Sequence, residues 1–255
     1  MTTTTSPANT LSGHSVVSTA RWTEARKKLL AHEKELTHLR DRVAEERRAL
    51  PWERIEKDYM FDTSAGKRTL AELFEGRRQL VVQHFMFGPD WKEGCKSCSF
   101  MADHADGALA HLAARDVTFV AVSRAPLEQL ERFRERMGWQ FTWVSSYLTD
   151  FNHDFGVSFT PKESAGTGTY NYHEVQQPFE ELPGISVFYK DDAGRVFHTY
   201  STYGRGVELM MGTYQFLDIV PKGRDEGTGA GMEWVRYHDR YDQAPGAASD
   251  CHSHT

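Results

Sequence analysis

A chain of 255 residues, 39% of them hydrophobic, can bury one sizeable core, which predicts a single decorated domain or one domain carrying an arm. Its 30 basic and 36 acidic side chains leave a net charge of −6 with neither sign gathered into a long block, which argues against nucleic acid or a membrane surface as partner. The opening segment MTTTTSPANTLSGHSVVS lacks the basic and apolar regions of an export signal, and no run nears the roughly 18 apolar residues of a membrane span. A cytoplasmic location is the resulting expectation.

In chain order, residues 1–17 are rich in Thr and Ser and predict a disordered tail. Residues 18–51 read as one long helical arm with apolar side chains at every seventh position: Trp22, Leu29, Leu36, Val43 and Leu50. The companion positions Ala25, His32, Leu39 and Glu46 are only half apolar, so the arm either lies across its own domain or joins a second copy in a loose homodimer. A domain follows over 52–220. DYMFDT (58–63) predicts a strand, SAGKR a turn around Gly66, and TLAELFEG a short helix. The nearly continuous apolar run 80–87 has the character of a central strand covered on both faces, and Gly88-Pro89 stops it. Phe100, Met101, Ala105, Leu109 and Leu112 recur at helical spacing and predict a helix over 98–114.

Beyond it, VTFVAVS (117–123) predicts a strand, Pro126 to Gly138 a helix and FTWVSS a further strand, an alternation that indicates a partly parallel sheet flanked by helices in an α/β fold. Residues 160–183 show no periodicity and predict a long surface insertion. The two runs of ISVFYKDDAGRVFHTYST, split by Asp-Asp-Ala-Gly, predict a hairpin, and 207–220 a last helix. Residues 221–255 form a polar extension, with a short helix expected near 232–241 and a loose tail after it.

The chemistry concentrates in FGPDWKEGCKSCSFMADH, where Cys95 and Cys98 follow the apolar strand and open a helix. In a reducing compartment such a close pair points to catalysis or metal binding rather than to a structural staple. The spacing lets a first thiolate attack a substrate disulfide while the second thiol stands near enough to release the mixed disulfide. A helix N-terminus adds the equivalent of about +0.5 charge and unpaired N–H groups, which bring a cysteine pKa from about 8.5 into the range of roughly 3.5 to 7.5. Cys95, lying before the helix and expected to be the more exposed, is assigned as nucleophile, and Cys98, one turn inside, as resolving thiol. Lys96 would lower the Cys95 pKa further and Glu93 would oppose it. His84, on the strand face opposite Gln83, is either a proton acceptor for the resolving thiol or a hydrogen-bonded core histidine.

The same Cys-x-x-Cys is half of a zinc site, whose remaining ligands would have to come from Cys251, His252 and His254 at the far end of the chain. The strand-to-helix setting favours redox use instead. That use needs no bound metal or cofactor, but it does need a protein or small-molecule disulfide as substrate and an external thiol reductant. The alternatives are a thiol-dependent peroxidase working through the same two sulfurs, and a redox-inert module that dimerises through the helical arm.

The order strand, Cys-x-x-Cys helix, strand, helix, hairpin and last helix resembles thioredoxin, and DYMFDTSAGKRTLAELFEG resembles the hairpin that opens peroxiredoxin-like members of that superfamily. The runs HFMFGPDW with GCKSCSF, SRAPLEQLERFRERMGW, WVSS, DFNHDFGVSF, GISVFY, VFHTYSTYGRG and WVRYHDRY extend from about Trp52 to Tyr241. They are similar to the bacterial thioredoxin-like family catalogued as domain of unknown function 899. The resemblance implies a thioredoxin-like mixed sheet flanked by helices. Lys-Ser stands between the cysteines where thioredoxins have Gly-Pro, and the peroxiredoxin pattern Pro-x-x-x-Thr-x-x-Cys is not met. Alignment with thioredoxin puts His84 in the place of its buried acid and Ile185 in that of its cis-proline.

Overall fold

A computed structural model of the chain describes residues 10, 11, 13–227 and 231–242. Two units are distinguished, residues 1–50 and 51–255. In the first, strands β1 (Thr10–Leu11) and β2 (His14–Ser15) pair antiparallel, so part of the expected disordered tail is a short ladder, while residues 1–9 and 12 lie outside the described residues. Helix α1 runs Thr19–Ala49 and stops before Pro51, whose ring disfavours helical backbone at Leu50. None of its residues is buried, and Trp22, Leu29, Leu36 and Leu39 are exposed along it.

The second unit is built on an eight-stranded sheet. In chain order its elements are β3 (Glu53–Arg54), β4 (Met60–Thr63), β5 (Gly66–Thr69), β6 (Gln79–His84), α2 (Lys96–Asp106), α3 (Leu109–Ala114), β7 (Val117–Ser123), α4 (Leu127–Met137) and β8 (Thr142–Ser145). Then come α5 (Phe151–Asp154), α6 (Pro161–Ser164), the separate hairpin β9 (Thr167–Tyr170) and β10 (His173–Gln176), β11 (Gly184–Lys190), β12 (Val196–Tyr203) and α7 (Gly212–Leu217). The spatial order is β3-β12-β11-β6-β7-β8-β4-β5. Strands β6, β7 and β8 are parallel, and β11 lies antiparallel to both β6 and β12. Parallel neighbours need crossovers, and α2 with α3, then α4, supply them.

Alternation along the central strands sorts their side chains onto two faces. One face packs Phe85, Phe87, Phe119 and Ala121 with Cys95, Cys98, Ala102 and Phe133. The other packs Leu80, Val82, Val120 and Val122 with Phe151, Phe155 and Phe188. Helix α4 fits the first face because Leu130, Phe133 and Met137, at helical spacing, are its buried residues.

Several expectations are corrected locally. The helix expected over 98–114 is two helices, broken at Gly107–Ala108. The predicted turn SAGKR leads straight into β5, and the short helix after it shrinks to the 3-10 turn Glu72–Phe74. The helix expected over 207–220 is a 3-10 segment, Gly204–Met210, followed by α7. Residues 160–183 contain α6, opened by a reciprocal Thr160–Glu163 capping box, and the β9–β10 hairpin. The helix expected near 232–241 is reduced to the 3-10 turn His238–Arg240, and the tail with Cys251, His252 and His254 lies outside the described residues. No helix among the described residues is long and apolar enough to cross a membrane.

Phe151 anchors the second face, fully buried with its ring centroid 4.9 Å from that of Phe61, 5.0 Å from Tyr59 and 4.8 Å from Phe155. Phe151→Ala is expected to cost about 3–5 kcal/mol, seen in urea unfolding as a lower midpoint at unchanged m-value.

Candidate active site

Strand β6 carries the chain to the carboxyl end of the parallel strands, and residues 85–94 turn it back into α2. The turn is tight enough to need glycine before the first cysteine, since a Cβ on Gly94 would stand 2.7 Å from the Phe85 ring. Cys95 is the residue that caps α2, with its amide donating to the Met86 carbonyl at 3.0 Å. Its carbonyl accepts from both the Ser99 amide and the Ser99 hydroxyl, each at 2.9 Å. One turn inside, the Cys98 sulfur accepts from the Met86 amide at 3.5 Å, and the Cys98 carbonyl accepts from Gln83 Nε2 at 3.0 Å. The end of β6 thus holds both cysteines through main-chain and side-chain hydrogen bonds at once.

Neither cysteine is in a disulfide. The Cys95 thiol is pulled below its ordinary value, to about 7, chiefly by a hydrogen bond from the Cys98 thiol. Burial opposes this, while the amides of Cys98 and Ser97 and the charge of Lys96 assist it. The Cys95 side chain makes no capping hydrogen bond of full geometry, so we read the amides as oriented dipoles rather than as formed bonds.

Cys95 is 6% exposed and Cys98 2%, so Cys95 is the more exposed of the two as expected, but both thiols are buried. In the loop before α2, Trp91 folds over Gly88, where a Cβ would meet the indole at 2.8 Å, and packs on the core cluster that includes both cysteines. The loop is tied down from far along the chain. Tyr237 donates to the Gly94 carbonyl at 2.6 Å, and Glu93 pairs with both Arg136 and Arg240. Burial would raise the Glu93 pKa, but the two guanidiniums outweigh it and hold the carboxyl below its usual range. The opposition expected from Glu93 to a Cys95 thiolate is therefore largely offset.

His84 lies on the other face of the sheet. Its Nε2 shares a 2.8 Å hydrogen bond with Ser186 Oγ, and its ring stacks on Phe155 at 5.7 Å. Burial first, and His198 second, drive its pKa down to about 3. The chain therefore brings Cys95 and Cys98 together and places His84 away from them, with Gln83 rather than His84 reaching Cys98. Sequence reasoning named Gln83 only as a neighbour and missed Arg136, Tyr237, Arg240 and Tyr170. A glutamine in an otherwise apolar strand was the one local signal for a partner near the cysteines.

Beside the loop lies a cavity of about 580 Å³ whose walls include Trp91, Lys92, Glu93, Gln129, Arg132 and Phe133. The described residues contain no group of three or more His, Cys, Asp or Glu placed to hold a metal ion, and the proposed tail ligands fall outside them.

Strand order, the two parallel crossovers, the antiparallel β11–β12 pair and the cysteines opening α2 define a thioredoxin-like protein. The chain belongs to the family described as bacterial protein of unknown function (DUF899), which matches residues 11–241. Similar solved structures include peroxidoxin BcpB of Mycobacterium tuberculosis, 13% identical with a TM-score of 0.44 over 64% of this chain and 92% of that one. Peroxiredoxin Q of Xanthomonas campestris is 12% identical with a TM-score of 0.41 over 60% and 85%. A hypothetical protein of Sinorhizobium meliloti is 14% identical with a TM-score of 0.37 over 58% and 69%. Likenesses of this degree carry no activity or residue role to this chain. No curated protein matches it in sequence.

Because folding lowers the Cys95 pKa from 9.0 to about 7, the reduced folded chain binds fewer protons than the unfolded one between those values. Its contribution to stability is absent below pH 7, grows as pH rises and is complete above pH 9. The unfolding free energy of the reduced protein should therefore rise with pH across that window, and Cys95→Ser should remove the rise.

Proposed function

We propose that the chain is a dithiol-disulfide oxidoreductase in which Cys95 attacks and Cys98 resolves. One observation carries this: two free cysteines stand one turn apart at the opening of α2, Cys95 capping the helix and both held by Met86 of the preceding loop. The nearby Cys98 thiol, ahead of the helix amides and Lys96, supports the reading by pulling the Cys95 pKa down to about 7. A nucleophile half ionised at neutral pH combines a useful thiolate fraction with good intrinsic reactivity.

In the first step the Cys95 thiolate bonds to one sulfur of a substrate disulfide, and the substrate S–S bond breaks. The departing thiolate carries away the electron pair and takes up a proton. Cys98 then gives up its proton to the second leaving thiolate and attacks the Cys95 sulfur. The substrate ends as two thiols and the protein as a Cys95–Cys98 disulfide. An external dithiol reductant returns the two electrons and two protons. His84, pushed to about 3 and on the opposite face, is left out of this proton path. No metal or nucleotide is required.

Hydroperoxide reduction is the second reading, favoured by the burial of both sulfurs, which a small oxidant reaches more readily than a large one. There the Cys95 thiolate takes the terminal oxygen, an alcohol or water leaves, and Cys98 condenses with the sulfenic acid, releasing water and forming the same disulfide.

Cys95→Ser is expected to abolish turnover of a disulfide substrate under saturating reductant. Cys98→Ser should accumulate a mixed disulfide on Cys95, read as the substrate half-mass added to the intact protein. Turnover by Cys95→Ser at the wild-type rate, or a pair that never oxidises, would leave the redox-inert module standing.

A further inference from the structure

We infer, resting on the dithiol reading, that the substrate disulfide is a small molecule and not a polypeptide, because residues 157–183 with Tyr170 occupy the backbone edge beside the cysteines. A polypeptide brought to a sulfur at the end of a strand is held mainly by pairing of its main chain with an open edge. The nearest such edge here is the segment entering β11. Gly184 pairs with His84, the last residue of β6, two residues before the Met86 whose amide touches the Cys98 sulfur.

That segment is already paired within the chain. The Phe159 amide donates to the Glu180 carbonyl at 2.9 Å, the Leu182 amide donates to the Val157 carbonyl at 2.8 Å, and Ser158 and Glu181 form an antiparallel bridge. The Glu181 side chain, itself buried, accepts from Ser158 Oγ at 2.6 Å and from Arg124 at 2.8 Å. Further along, the Pro183 carbonyl accepts from the Tyr170 hydroxyl at 2.7 Å. The same hydroxyl accepts from the Gly204 amide at 2.8 Å. One phenol on the β9–β10 hairpin therefore uses up a carbonyl at the start of β11 and an amide at the end of β12.

The hairpin is packed to hold that phenol still. The Tyr170 ring meets Tyr203 edge-on at 5.5 Å, and Tyr203 lies against Gly184, where a Cβ would come within 2.7 Å of its ring. Gly168, two residues before Tyr170, admits the Phe159 ring where a Cβ would stand at 2.7 Å. Tyr170 also lies within electrostatic reach of Cys98, whose charge adds to burial in holding the phenol protonated. Both sulfurs are buried, so a small disulfide reaches them more readily than a folded polypeptide does. Paired backbone beside the cysteines and buried sulfurs set the class of disulfide admitted.

The test oxidises the reduced full-length chain with cystine and with insulin, following Cys95–Cys98 disulfide formation by rapid thiol trapping, in wild type, Tyr170→Phe and Tyr170→Ala. Each variant is first checked for a cooperative thermal transition. Wild type should react with cystine at least about 100-fold faster than with insulin, and Tyr170→Ala should narrow that ratio by about tenfold through a faster insulin reaction. Tyr170→Phe, which keeps the ring but frees the Pro183 carbonyl and the Gly204 amide, should fall between. Equal rates in wild type, or one ratio in all three proteins, would overturn the substrate class while leaving the dithiol chemistry intact. If neither disulfide oxidises the pair, the dithiol reading itself fails and the substrate class falls with it.

Discussion

A thiolate buried to 6% exposure is a costly object, since removing a charge from water costs several kcal/mol unless neighbours replace the solvent. At Cys95 the replacement is local and made largely by one partner, the Cys98 thiol, with the amides of Ser97 and Cys98 and the start of α2 behind it. Most other features of this region serve to keep those two sulfurs in register. Gln83 and Met86 fix Cys98 from β6, and Ser99 fixes the Cys95 carbonyl from within the helix. Gly94 lets the loop pass under Phe85, and Tyr237 with Arg240 ties the loop to residues more than a hundred positions away.

The sheet divides the polar interior in two. On the cysteine face Gln83 and Ser99 bond the main chain at the start of α2. On the opposite face a chain of hydrogen bonds runs from His84 to Ser186 at 2.8 Å, on to Ser201 at 2.8 Å and to His198 at 2.7 Å. With its pKa near 3, His84 is neutral at physiological pH, and its place is structural: it satisfies Ser186 beneath the aromatic layer of Phe151 and Phe155. Alternation along β6 is what separates the two systems, because neighbouring residues of a strand cannot serve the same face.

Much of the fold was legible because its signals are local. The apolar run before Gly88, the VTFVAVS strand, the Pro126 start and Gly138 end of α4, and the Asp-Asp-Ala-Gly turn between β11 and β12 each announce themselves within a few residues. The cysteines at the opening of α2 were legible for the same reason. Burial of Cys95 was not, because it depends on a core assembled from β6, α2, α4 and the loop before α2. The β9–β10 hairpin lacked apolar alternation to betray it, since Thr167–Tyr170 packs through Gly168 against Phe159 instead of through a hydrophobic face. Tyr237 and Arg240 stand in the run WVRYHDRY and Tyr170 in no quoted run, but nothing in the sequence tied any of them to the cysteines, and only the tertiary fold brings them to the loop or to the segment beside β11. The His84 placement shows the risk of transferring a role by strand alignment, since a shift of one residue moves a side chain through the sheet.

The central claim is that Cys95 is ionised near neutral pH by its neighbour, and the pH dependence of its alkylation measures that directly. With iodoacetamide under native reducing conditions, the rate at Cys95 should inflect near pH 7 in the wild type, and Cys98→Ala should move the inflection upward toward the ordinary thiol value. An inflection near the ordinary value in the wild-type protein, unmoved by Cys98→Ala, would contradict the account.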